Sequence, residues 1–173
     1  MLVTTSAYDP KGNLLRETNR SKKGRLQTET QFVYDNKNRL LERVVYRDDG
    51  RVIEKANFDY DQNGNLVHQK LIDESGKILQ ALSFTHDQYG QVTSRVSKTK
   101  SVSFHYDHQG NQVRTTIDYD KNDEVDLVLQ YTVDEENRRS RLESPLSVTN
   151  FEYDEALYTR LLKIAPWIER EQP

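Results

Sequence analysis

Apolar and polar side chains alternate with a period of two along most of this chain. Phe32 and Tyr34, Phe58 and Tyr60, Phe84 and His86, and Phe104 and Tyr106 stand two apart, which puts each pair on one face of a strand. Leu82 and Val102 extend the same face backwards, while Val33, Asp59, Thr85 and His105 between the pairs are mostly polar. This is the pattern of a half-buried strand. Turn signals break it every 12 to 14 residues through the first half of the chain. Strands of about 6 to 8 residues joined by short turns predict an antiparallel meander of ten or so strands, crossed by aromatic and aliphatic rows. A long single-layer sheet twists and curls, so a curved or partly barrel-like form is expected.

The alternation belongs to a repeat. Eight segments align without gaps and end at Asp9, Asp35, Asp61, Asp87, Asp107, Asp120, Asp134 and Asp154, with Tyr before the Asp in six of them. The steps between these aspartates are 26, 26, 26, 20, 13, 14 and 20 residues. Three residues after the first seven come Gly12, Asn38, Gly64, Gly90, Gly110, Asp123 and Asn137, residue types that accept positive φ at low cost. Asp at the start and Gly or Asn near the end describe a turn in which the carboxylate takes a backbone N–H two residues on. A second turn series, Gly24, Gly50 and Gly76, is also spaced by 26.

The last twenty residues follow a different period. Asp154 is placed to cap a helix, and Leu157, Leu161, Ile164 and Ile168 share one helical face until Pro166 interrupts it. Residues 1–153 therefore read as one sheet domain and 154–173 as a short helix that caps an end of the sheet. A docking helix for a partner is the alternative.

Segments such as Tyr60-Asp61-Gln62-Asn63-Gly64-Asn65 and Tyr106-Asp107-His108-Gln109-Gly110-Asn111 resemble the YD repeats of the Rhs family. The resemblance spans roughly residues 6 to 154. It implies stacked β-hairpins, and for large family members a secreted or surface protein whose hairpins form a hollow shell around a toxin or bind carbohydrate. This chain differs in stretching most repeats to 26 residues with two turns each, and 173 residues are too few to close such a shell.

Composition narrows the function without choosing it. Apolar residues make up 34% and charged residues 31%, with mean hydropathy −0.92, wet for a globular domain. Net charge −3 and a pI near 5.8 argue against a nucleic-acid partner. No apolar run is long enough to span a membrane, and no leader-like segment opens the chain, so the expected location is cytoplasmic as the chain stands, or the cell surface or exterior for a fragment of a larger protein. There is no cysteine, hence neither disulfide nor thiolate metal site.

The Asp column tempts a calcium reading, most of all at Asp61-Gln62-Asn63-Gly64-Asn65 and Asp120-Lys121-Asn122-Asp123-Glu124. Calcium needs six to eight oxygens, and no Glu follows Asp61 at the spacing of a calcium loop, so a structural turn is the better account. His68, His86, His105 and His108 show no zinc-ligand spacing. No nucleophile motif or phosphate loop occurs. The chain is thus expected to be a non-enzyme without metal or cofactor. Tyr34, Tyr60, Tyr106 and Tyr119, with Tyr8 and Tyr153, are expected to form a ladder along one sheet margin. Exposed, it stacks on sugar rings or peptide; buried, it is core at the strand ends, which the scarcity of aliphatics favours. The structural turns are Asp9–Gly12, Asp35–Asn38, Asp61–Gly64, Asp87–Gly90 and Asp107–Gly110. The expected role is a protein-interaction module, as an accessory or immunity-type partner of an Rhs-like toxin, with carbohydrate binding by a larger protein's fragment as the alternative.

Overall fold

A computed structural model describes residues 2–151 and 163–165. They fall into two compact units, Met1–Phe84 and Thr85–Pro173. Both are antiparallel meanders in which each strand follows its neighbour in chain order. The first holds β1 (Leu2–Tyr8), β2 (Leu14–Ser21), β3 (Leu26–Tyr34), β4 (Leu40–Arg47), β5 (Val52–Tyr60), β6 (Leu66–Asp73) and most of β7 (Ile78–His86). The second holds β8 (Val92–Val96), β9 (Ser101–Tyr106), β10 (Gln112–Asp118), β11 (Leu127–Val133), β12 (Arg139–Ser144) and β13 (Ser147–Asn150). The backbone of β14 (Lys163–Ala165) pairs with β13. The strands outnumber the ten expected because the later, shorter steps of the repeat still close complete hairpins.

The helix expected over 154–173 lies outside the described residues except at Lys163–Ala165, which is strand rather than helix. No helix occurs among the described residues, so none is long and apolar enough to cross a membrane.

One loop geometry builds every hairpin of the first unit. The first turn residue accepts the N–H of the residue three on, and its own N–H donates to the carbonyl four on; Gly12 N to Asp9 O is 3.1 Å and Asp9 N to Asn13 O is 2.9 Å. The residue three on sits in the left-handed region, as at Gly64 with φ 96°. This is a type I turn closed by a glycine-type bulge. The bulge appears as a register shift at Ala7/Tyr8, Val33/Tyr34 and Asp59/Tyr60. Because it recurs at the same place, every repeat leaves its turn with the same side chains on the same face.

Packing is spread over both faces of the first unit's sheet instead of gathered on one. Register places Phe32, Arg43, Ala56 and Leu71 in one row and Gln31, Val44, Lys55 and Ile72 in a row on the opposite face. Ala56 is 2% exposed and Val44 6%. With Val102 of the second unit they are the buried hydrophobics among the described residues. Polar cross-strand pairs fill the gaps: Arg43 bonds Glu54, Lys55 Nζ lies 2.5 Å from Glu42, and Thr5 meets Thr18 at 2.6 Å. Each such pair contributes well under about 1 kcal/mol, so the sheet is held mainly by its backbone ladder and by many weak rows.

Candidate functional site

The repeated carboxylates organise one margin of each unit. Asp9 Oδ1 accepts the backbone N–H groups of Lys11 and Asn13, both at 2.8 Å, and Oδ2 accepts the side-chain amide of Asn13 at 2.8 Å. Asp35 repeats this with Lys37 N, Arg39 N and Arg39 Nε at 2.8, 2.9 and 2.6 Å. Asp107 repeats it with Gln109 and Asn111, and Asp134 with Glu136 and Arg138. Asp61 holds both the amide and the side chain of Asn65, while Asp87 takes the amides of Tyr89 and Gln91. The residue four after each Asp is therefore part of the motif, because its side chain can donate back to the second carboxylate oxygen. Its types, Asn13, Arg39, Asn65, Gln91, Asn111 and Arg138, all carry a donor of that reach.

These bonds stabilise the ionised form. The Asn13 side chain on Asp9, the Asn65 side chain on Asp61, and the backbone N–H groups of Arg39 on Asp35 and Asn111 on Asp107 hold all four carboxyls below the ordinary 3.8.

Consecutive turns are stitched together. The residue four after the Asp reaches forward: Asn13 Nδ2 donates to Asn38 Oδ1 at 3.1 Å, and Arg39 Nη1 to the Asp61 carbonyl at 3.3 Å. In the second unit Gln91 Nε2 donates to the Gly110 carbonyl at 2.9 Å, and Asn111 Nδ2 to Asn137 Oδ1 at 3.0 Å. Two tyrosines of the column reach backward, while Tyr34 makes no such bond among the described residues. Tyr60 OH donates to the Leu40 carbonyl at 3.0 Å, and Tyr106 OH to the Val92 carbonyl at 2.8 Å, in each case five residues past the preceding Asp. The Arg39 guanidinium lies over the Tyr60 ring, 4.9 Å from its centre. Burial, aided by the facing carboxylates Asp9 and Asp87, raises the phenols of Tyr34 and Tyr106; burial also raises Tyr60, with Arg39 opposing and Asp35 adding.

Of the tyrosines singled out from the sequence, Tyr34, Tyr60 and Tyr106 sit half-buried at strand ends of this margin. Tyr119 does not join them. It is 51% exposed in the 119–126 connection between β10 and β11. The step of 13 residues from Asp107 to Asp120 crosses a single strand, which carries the chain to the opposite margin, whereas 26 residues return it to the same one. In that connection Asp118 does the holding: its oxygens accept Lys121 N at 2.6 Å and Asp123 N at 3.1 Å. The Asp118, Asp120 and Asp126 carboxylates lie within 4.8 Å of one another. Two of the three already serve loop amides, Asp126 by accepting Tyr119 N at 2.6 Å.

In the second unit an open groove of about 780 Å³ along the margin is lined by Tyr89, Gln91, Phe104, Tyr106 and His108 among others. In the first unit a groove of about 410 Å³ lies between the Asp9 and Asp35 turns.

No family model and no curated protein matches the chain. Solved structures do. The crystal structure of TcdB2-TccC3-Cdc42 matches with a TM-score of 0.51 at 16% identity, over 89% of this chain and 10% of that one. The Tc holotoxin pore of Photorhabdus luminescens matches at 0.46 and 15%, over 85% and 9%. A porin-like protein from Bacteroides uniformis matches at 0.42 and 10%, over 92% and 86%. The fold thus resembles a segment of TcdB2-TccC3-Cdc42, and this chain spans about a tenth of the chain it matches there.

Proposed function

We propose that this chain is a non-enzymatic protein-interaction module built from YD-type hairpins, an accessory or immunity-type partner of an Rhs-like toxin. The observation that supports this most is the exposure of the sheet. A sheet ordinarily buries a face against another layer, yet Leu15, Val33, Leu41, Ile78 and Leu79 stay exposed, and among the described residues of each unit strands lie against their chain neighbours. Such a sheet offers two faces and an edge to another protein while its own stitched margin keeps it rigid. The likeness in fold to a segment of TcdB2-TccC3-Cdc42 adds a precedent for this hairpin stack inside a multi-component toxin.

Affinity capture from lysate of the source cells, with the tagged full chain as bait, tests the reading. One protein retained in near-stoichiometric amount is the expected result. An empty capture, together with glycan-array binding that Tyr34→Ala and Tyr60→Ala abolish, would assign the chain to carbohydrate instead.

A further inference from the structure

One groove of this margin is filled by the chain's own side chain, which shows what such a groove accepts. Between the Asp35 and Asp61 turns of the first unit, the Arg39 guanidinium makes three contacts. Its Nε donates to Asp35 Oδ2 at 2.6 Å, its Nη1 donates to the Asp61 carbonyl at 3.3 Å, and its central carbon lies over the Tyr60 ring, 4.9 Å from the centre. A carboxylate, a carbonyl and a ring face set around one space suit a planar, forked cation better than the point charge of an ammonium.

The groove between the Asp87 and Asp107 turns of the second unit has the same frame without the arginine. Tyr106 stands there as Tyr60 does in the first unit, its hydroxyl donating to the carbonyl five residues past the preceding Asp. The residue four after the Asp is Gln91, whose amide goes forward to the Gly110 carbonyl at 2.9 Å. All three contacts that Arg39 makes are thereby left open. Asp87 Oδ1 accepts the amides of Tyr89 and Gln91, but no described donor reaches Oδ2. In Asp9, Asp35, Asp61, Asp107 and Asp134 the Oδ2 oxygen takes a side-chain donor every time. The Asp107 carbonyl accepts Gly110 N and no described side chain, and no described cation lies over the Tyr106 ring.

Charge and surface agree with this geometry. The groove is lined by the carboxylates of Asp87 and Asp107 and the rings of Tyr89, Phe104 and Tyr106, and no Lys or Arg lines it. Burial and then Asp87 raise the Tyr106 phenol with no cation opposing, whereas Arg39 opposes the rise at Tyr60. The groove between the Asp9 and Asp35 turns differs on both counts, since Lys11 lines it and Asn13 already donates to Asp9 Oδ2.

We propose that the groove between the Asp87 and Asp107 turns binds an arginine side chain of a partner polypeptide. The incoming guanidinium takes the place that Arg39 fills in the first unit: it donates to Asp87 Oδ2 and to the Asp107 carbonyl and lies over the Tyr106 ring. Tyr89, 80% exposed, and Phe104 supply apolar surface for the arginine stem. This proposal rests on the interaction-module reading and gives it a site and a class of partner.

The probe is the blocked peptide N-acetyl-Gly-Arg-Gly-amide, titrated into the ¹⁵N-labelled full chain at pH 8, with lysine and citrulline versions alongside. Saturable binding of the arginine form is expected with Kd roughly in the millimolar range, and amide shifts confined to residues 87–92 and 104–111. The lysine form should bind several-fold more weakly and the uncharged citrulline form not at all. Asp87→Asn keeps an oxygen for the turn amides but removes the charge, and should weaken binding about tenfold. Gln91→Arg gives the groove a guanidinium of its own, as Arg39 does, and should abolish binding while the chain stays folded. No saturable binding, equal affinity for the three peptides, shifts elsewhere, or undiminished binding to the Gln91→Arg chain would overturn the proposal. So would a concentration-dependent dimer that Gln91→Arg dissolves, which would give the groove to a second copy, or glycan binding at these amides without arginine binding. A lysate partner captured equally well by the Gln91→Arg chain, with no peptide binding, would remove the arginine site and leave the interaction module standing. An empty capture with no peptide binding would remove both.

Discussion

The two margins of the first unit carry turns of one backbone geometry and unequal side-chain support. On one margin the turns begin at Asp9, Asp35 and Asp61; on the other they begin at Ser21, Arg47 and Asp73. Both series close with the same pair of backbone bonds, and both place their fourth residue at positive φ: Gly12, Asn38 and Gly64 in one, Gly24, Gly50 and Gly76 in the other. The difference lies in what surrounds that frame. Each Asp of the first series ties its own loop, and the followers Asn13 and Arg39 reach the next turn. On the other margin only Asp73 ties its loop in that way, through Ser75 and Lys77, while Ser21 accepts Arg25 N at 3.2 Å and neighbouring turns are joined by the ion pairs Arg25–Asp48 and Arg47–Glu74. The left-handed residue is thus what the hairpin demands, while turns are joined into an array by the Asp and its long-armed follower on one margin and by ion pairs on the other.

That contrast can be broken at several points. The largest effect should come from Gly64→Val and Gly50→Val. Space for the added carbon is open at both, with Arg39 at 3.8 Å the nearest atom to one and nothing near the other, so the penalty is backbone strain of roughly 1–3 kcal/mol in each. Equal drops in melting temperature on the two margins are expected; an undiminished melting temperature for either would refute its turn geometry. Next, Asp61→Ala should lower the melting temperature clearly more than Arg47→Ala, since only the first strips bonds from its loop. Equal losses would mean that the carboxylates contribute nothing beyond the backbone turn. Tyr60→Phe should cost about 0.5–1.5 kcal/mol in chemical denaturation, the value of one ordinary hydrogen bond, and Tyr8→Phe nothing measurable in the isolated chain.

Smallest per group is the response to pH. Asp9, Asp35, Asp61 and Asp107 have folded values below the ordinary 3.8, so the stability they add is complete above that value and is lost as pH falls through the depressed ones. Tyr34, Tyr60 and Tyr106 have folded values above 10.0, so theirs is complete below pH 10 and lost as pH rises through the raised ones. Amide protection at Asn13, Arg39 and Asn65 should therefore fall on acidification more than at Arg25 and Arg51. Uniform loss across both margins would contradict the unequal support.

Much of the meander was written in the sequence, because a period of two and a residue of positive φ every dozen positions are local signals. Phe58 and Tyr60 before Asp61, with Gly64 after it, fix a strand end and a turn without help from the rest of the chain. Less legible was anything that depends on the neighbour. The donor column Asn13, Arg39, Asn65 and Gln91 looks like ordinary polar sequence until two turns stand side by side, although its recurrence four residues after each Asp was available as a signal. Tyr119-Asp120 matches the Tyr-Asp pair but carries Glu124, not a donor, four residues on, and it falls one strand out of step and on the other margin. Val44, an apolar residue between Arg43 and Val45, suggests no particular face; register alone puts it beside Gln31, on the face away from Phe32, and shares the packing between two surfaces.

Contacts confined to adjacent strands give this molecule an unusual way to come apart. A closed core fails as a whole, but a row of hairpins in which the described strands pair with their chain neighbours behaves like a one-dimensional chain of coupled switches. Opening β1 releases β2 with little cost to β4 and β5, so deuterium should enter the first unit from the Leu2 edge inward, as a zipper opens. The same locality keeps loop-closure entropy low and lets any one hairpin serve as a seed for refolding.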